Sequence, residues 1–189
     1  DEDISIIGHE AFMNPTDNEE NSFGYYLSSH RDNVHLDFGI RHDRISRSGS
    51  LSHDDHDEHA HEDEDHDEDE HDEDEHEEEM EYFDRDFNNT SISLSLGTEF
   101  SDNLDLSLGY SMVKRAPSAV ELFMDGPHLA TARFEEGDIN LETETSNNID
   151  VGLHYRNGDF YGELTFFRND VDDYIYLKDE TEEEHEEHE

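Results

Sequence analysis

The chain has 189 residues, with 56 Asp and Glu against 11 Lys and Arg, 15 His and no Cys, for a formal net charge of -45. Such a field repels nucleic-acid phosphates and sets the charged loops against anionic lipid headgroups, while it concentrates cations. The absence of cysteine removes disulfides, thiolate zinc sites and cysteine nucleophiles. There is no signal peptide and no apolar run of about 20 residues to make a transmembrane helix, but transmembrane strands alternate and leave no such run.

In chain order, the first strand signal runs from Phe23 to Ser28, with Phe23, Tyr25 and Leu27 on one face and Gly24, Tyr26 and Ser28 on the other. A polar turn over His30 to Asn33 leads into Val34, Leu36, Phe38 and Ile40, set against His35, Asp37, Gly39 and Arg41. The next pair sets Ile92, Leu94, Leu96 and Phe100 against Ser93, Ser95, Gly97 and Glu99. It turns at Ser101, Asp102 and Asn103 and returns through Leu104, Leu106, Leu108, Tyr110 and Met112. A third hairpin carries Ile149, Val151, Leu153 and Tyr155, turns at Asn157-Gly158 as a type I′ pair, and returns through Phe160, Gly162, Leu164 and Phe166. The opposite face there holds Asp150, Gly152, His154, Glu163 and Thr165.

Between the first two pairs lies HDDHDEHAHEDEDHDEDEHDEDEHEEE, His53 to Glu79, in which every residue but Ala60 is His, Asp or Glu. Such a segment cannot bury a core and reads as disordered in water. A tract that only solubilises has no need of imidazoles, yet His53, His56, His59, His61, His66, His71 and His76 recur through it. Imidazole with carboxylate suits Zn, Ni, Co and Cu(II), so the tract reads as loose divalent-metal capture. The terminal EEEHEEHE, with His185 and His188, repeats the chemistry.

The strands look nearer ten residues than the usual five or six, and they come in pairs joined by tight turns, with long polar loops between pairs. A soluble β-sandwich has short loops at both ends. Short turns at one end and long loops at the other predict an all-β fold, a transmembrane antiparallel β-barrel fragment of about seven strands, with long acidic, His-rich extracellular loops. Loops are expected over 48–84, 116–145 and 178–189, the first disordered and the last opening a second acidic, His-rich loop. Polar faces of Gly, Ser, Asp and Glu would line a hydrated lumen, and Tyr82, Phe83, Phe87 and Tyr174 would form an interfacial girdle. The start at Asp1 and the end within an acidic run read as a piece of something longer.

The stretch from Gly109 to Tyr155 carries R-x-P at Arg115 and Pro117, a Glu-Leu pair at Glu121 and Leu122, and G-P-H-x-A-T at Gly126, Pro127, His128, Ala130 and Thr131. F-E-x-G-D follows at Phe134, Glu135, Gly137 and Asp138, and L-x-x-E at Leu141 and Glu144. This order resembles the barrel of a TonB-dependent outer-membrane receptor, and Gly8 to Ser46 resembles the preceding hairpin of that family. The His-rich insertion with the G-P-H element is similar to the zinc receptors of the ZnuD type. The plug domain, TonB box and C-terminal aromatic strand of such receptors are missing, and about 22 strands are expected of such a barrel.

The resemblance implies energised uptake of a scarce solute through the Gram-negative outer membrane, with outer-membrane lipid and, through parts absent from this chain, the TonB complex as partners. No catalytic motif is present, so no enzyme is expected. The first reading is a receptor for zinc or a similar divalent ion, with Zn2+ as transported substrate. The flexible tract would collect metal at weak sites and pass it to fixed ligands. His128 is the leading candidate for these, and Glu121, Asp125 or Glu135 would supply an oxygen or orient the ring. Metal binding should fade as pH falls through the imidazole pKa of about 6.5. Arg115 and Glu121 also read as a structural pair at the loop base, and His35 and His154 as lumen residues held by hydrogen bonds. Two alternatives are a ferric-siderophore or haem receptor whose acidic loops are only solvated surface, and, from another class, a secreted metal-buffering β-protein.

Overall fold

The computed structural model describes residues 2–4, 13–53, 79–128 and 133–179. Among them run β1 (Glu2–Ile4), β2 (Thr16–Arg31), β3 (Val34–His53), β4 (Glu79–Ser101), β5 (Leu104–Arg115), α1 (Ala119–Phe123), β6 (Asp125–His128), β7 (Arg133–Glu136), β8 (Glu144–Asn157) and β9 (Phe160–Asp172). Seven strands form one antiparallel sheet in the order β1-β2-β3-β4-β5-β8-β9, and β6 and β7 pair separately. Apart from the excursion between β5 and β8, every strand lies beside its sequence neighbour, the meander from which up-and-down barrels are built.

The registers bear out the alternation. Tyr25 faces Ile40, Ile40 faces Ile92, Ile92 faces Met112, Leu108 faces Val151 and Val151 faces Phe166, which gathers the apolar side chains on one face. Phe23, Leu94, Ile149 and Phe166 on that face stay exposed, because nothing among the described residues covers them. In water this arrangement would forfeit the burial of large side chains, whereas lipid supplies the missing contact.

Three expectations about strands, loops and turns are corrected. The strands are longer than ten residues: β2, β3 and β4 have 16, 20 and 23. At about 3.3 Å per residue β4 alone runs some 75 Å, far beyond a 30 Å hydrocarbon core, so the β3–β4 hairpin projects well past the apolar band. The loop expected over 48–84 therefore begins later, because residues 48–53 and 79–84 continue the ladder through Ser48↔Asp84 to His53↔Glu79. The third turn is centred on Gly158-Asp159, since Asn157 still pairs with Phe160. Gly158 has φ 58 and Asp159 is not in the left-handed region, which is the type II′ signature rather than type I′. The first turn places Asp32 at φ 53, a conformation that Asp tolerates better than most residues.

The hydrophobic core lies at the loop end of the sheet. Met13, Phe87, Ala119, Leu122 and Phe123 are buried together, with Ile45, Leu51, Phe83, Ala116, Ile139 and Leu141 packed against them. Ile45, Leu51, Phe83 and Phe87 stand on the same face as Asp37, Arg41 and Ser93, opposite the apolar one. The segment between β5 and β8 therefore folds back over the polar, inner wall. Phe83 and Phe87 belong to this seat and not to an interfacial girdle, while Tyr82 and Tyr174 remain exposed.

Candidate functional site

The inner wall and the loop seated on it form the candidate site. Ser118 caps α1, with its hydroxyl accepting from the Glu121 N–H at 3.2 Å and Glu121 accepting the Ser118 N–H at 2.8 Å, a reciprocal capping box. Arg115, at the end of β5, donates to both Glu121 oxygens at 3.0 and 2.8 Å and to Glu144 at 3.3 Å. One guanidinium thus ties the last residue of β5 to the helix and to the first residue of β8. Burial alone would raise the Glu121 carboxyl, but the hydrogen bonds from Arg115 and from Ser118 outweigh it and hold the group below the usual glutamate range.

Two glycines let the backbones approach. A Cβ on Gly49 would stand 2.7 Å from the Phe123 ring, and one on Gly137 would stand 2.7 Å from the Leu122 carbonyl carbon. Gly137 and Asp138 donate their N–H groups to Met124 O and Glu121 O at 2.6 and 3.0 Å, satisfying carbonyls at the end of the short helix. Arg85 donates to Leu141 O at 2.9 Å, and Thr143 to the buried Asn89 at 3.0 Å. The motif residues Arg115, Pro117, Glu121, Leu122, Gly137, Asp138, Leu141 and Glu144 are thus the parts that dock this loop on the wall.

The metal ligands expected from sequence are distributed unevenly. The Glu121 carboxylate is engaged by Arg115 and Ser118. Glu135 is buried in β7 opposite Gly126. His128 ends β6, where its backbone pairs with Arg133 beside Asp125 and Pro127 in the same small hairpin. His53 ends β3 opposite Glu79. His56, His59, His61, His66, His71, His76, His185 and His188 lie outside the described residues. Among the described residues no three His, Asp or Glu side chains converge as a metal site.

Lower on the inner wall, His35 Nε2 lies 3.0 Å from Asp37 Oδ1 and 3.3 Å from Ser28 Oγ, and Tyr26 donates to Asp37 at 2.7 Å. His154 Nδ1 lies 3.9 Å from Glu163. Sequence reasoning missed the Arg47–Glu20 ion pair and the buried Asp43, bonded by Ser22 and Arg41, because these residues lie above the apolar alternation. Their strict parity with Gly39 and Arg41 along β3 was the available signal.

A lipid-facing apolar band, a polar inner wall, tight turns at one end and a loop folded inward at the other define an outer-membrane β-barrel wall. The family model described as TonB dependent receptor-like, beta-barrel, matches residues 6–182, and the chain belongs to that family of Gram-negative outer-membrane proteins. Its members are not enzymes, and the membership removes the secreted reading. The chain is 36% identical over 105 residues to heme/hemopexin utilization protein C of Haemophilus influenzae, covering 48% of this chain and 14% of that protein. It is 38% identical over 106 residues to the protein of the same name from strain 86-028NP, covering 48% and 15%. It therefore spans about one seventh of the length of these curated relatives. A solved double mutant of the Serratia marcescens hemophore receptor HasR, in complex with its hemophore HasA and heme, superposes with a TM-score of 0.63 at 18% identity, covering 90% of this chain and 28% of that one, which shows the shared fold.

Proposed function

We propose that this chain forms part of the wall and mouth of an outer-membrane receptor that imports haem, free or delivered by a carrier protein, by TonB-driven uptake. The observation that carries this reading is the 36–38% identity to heme/hemopexin utilization proteins across about half the chain. The loop end also offers flat apolar surface. Phe134 is exposed, and Tyr174 and Tyr176 stack with centroids 6.0 Å apart and planes 14° from parallel. A porphyrin gains most from such faces. The TonB complex would engage segments outside this chain.

The tract from His53 to Glu79 favours a second reading, in which the cargo is zinc or a similar divalent cation. The tract would gather metal at many weak sites, and the β6–β7 hairpin bearing His128, with Glu135 on the facing strand, would supply fixed ligands. The motif shared with the family does not choose between the cargoes, because its residues dock the loop.

The test is isothermal titration of the full-length receptor with haem, Zn2+, Ni2+ and Cu2+, before and after deletion of residues 53–79. Saturable haem binding that survives the deletion supports the haem reading. Tight, saturable zinc binding with no haem binding overturns it in favour of zinc.

A further inference from the structure

Within one residue step the outward face changes chemistry. In β3 the outward series Val34, Leu36, Phe38, Ile40 gives way to His42 and Arg44, in β5 Met112 is followed by Lys114, and in β9 Phe166 is followed by Arg168. The first polar outward residues above the apolar band are Asn21, His42, Thr90, Lys114, Asn147 and Arg168. None is a carboxylate, in a chain where acids outnumber bases 56 to 11.

Two cations in this strip lack the partners that such an excess of acid would readily supply. Arg168 is held by Asp170 at 2.8 Å, but the side chains of Arg44 and Lys114 make neither an ion pair nor a hydrogen bond among the described residues. Arg44 is exposed between Asn21 and Asn88, its register neighbours on either side. Lys114 pairs with Thr145 in the ladder and donates its backbone N–H to Ser91 Oγ at 3.0 Å. Beside them His42 Nδ1 and Thr90 Oγ1 are 2.9 Å apart. On β2 and β4 the carboxylates of Glu19 and Asp86, both opposite Ser46, begin one outward step above Arg44, while on β9 Asp170 and Asp172 stand opposite Asn147 and Thr145. The cationic strip is therefore one or two residues deep, bounded by the lipid-facing band below, by Glu19 and Asp86 above and by Asp170 and Asp172 on the β9 side.

We propose that Arg44 and Lys114, flanked by Asn88 and the His42–Thr90 pair, bind a phosphate-bearing headgroup of an outer-leaflet lipid. With β4 between them and a two-residue offset along the strands, their Cα atoms stand about 12 Å apart, within reach of one headgroup for two long, flexible cations. The net charge of the chain argues against anionic lipid only for the loops, since a field falls off within a Debye length of about 8 Å and the local sign governs contact. The inference rests on the outer-membrane assignment and is independent of the cargo.

The experiment uses full-length receptor in nanodiscs. It measures by native mass spectrometry the retention of a diphosphorylated glycolipid against the same glycolipid stripped of phosphate. The expected preference is about thirty-fold, from two cations each contributing on the scale of juxtamembrane basic residues. R44Q/K114Q should abolish the preference, and R44K/K114R should keep it. Only protein with the folded, heat-modifiable gel migration is scored. If the double variant does not assemble, the single variants R44Q and K114Q decide the question, each being expected to lose part of the preference. No preference in the parent receptor, or an undiminished preference in the folded variants, overturns the proposal.

Discussion

Glu121 accepts from Arg115 and Ser118 at once, so its charge, and not only its shape, holds the loop to the wall. Its folded-state pKa is lowered, so the stabilisation is present above the unfolded value of about 4.3 and is lost as pH falls through the lower folded value. Hydrogen exchange of residues 116–143 should therefore quicken only below the ordinary glutamate range. Glu121→Gln should raise exchange at neutral pH, by about 1 kcal/mol for a pair partly open to solvent, and flatten that acid dependence. An unchanged acid limb in the variant would remove Glu121 as the anchor. Gly49→Ala tests the other side of the same seat. The added methyl would meet the fully buried Phe123 ring, and thermal unfolding of the full receptor should show a destabilised loop by about 1–3 kcal/mol, partly relieved by Phe123→Leu.

Among elements, the β6–β7 hairpin is the one that fixes a candidate ligand in place. His128 follows Pro127 in a paired strand, so its backbone is restrained before any ligand arrives. On the zinc reading, deletion of residues 53–79 should lower uptake mainly when zinc is scarce, as measured by growth under chelation. In that deleted background His128→Ala should weaken zinc affinity further in titration of the full receptor. Equal affinity with and without His128 would make it a loop residue only. The elements also show where periodicity stops informing. Above Ile40 and Ile92 the outward residues are His42, Arg44, Thr90 and Asn88, so β3 and β4 continue as strands with no apolar alternation to announce them. There the ladder is maintained by pairing with the neighbouring strand and not by side-chain contrast.

At the scale of the molecule, the described sheet is an open arc whose edge strands are β1 and β9 and whose outward apolar face is bare. Expressed alone in water, this chain should form no stable monomer, since those edges and that face need further strands and lipid. A sharp thermal transition with dispersed amide resonances in the absence of detergent would contradict the barrel assignment. The sequence by itself determined the hairpins and the lipid-facing set, because a period of two assigns each side chain to a face, whereas the register of the third hairpin came from pairing across the sheet. It also determined the metal-ligating composition of the tract and the motif from Arg115 to Glu144. Only the tertiary structure decided that the motif's loop turns inward onto Ile45, Gly49, Phe83 and Phe87, and that the side chains of Arg44 and Lys114 have no ion-pair partner among the described residues. Both facts depend on which residues of distant strands share a face and a height, and that is fixed by pairing across the sheet rather than by any local pattern along the chain.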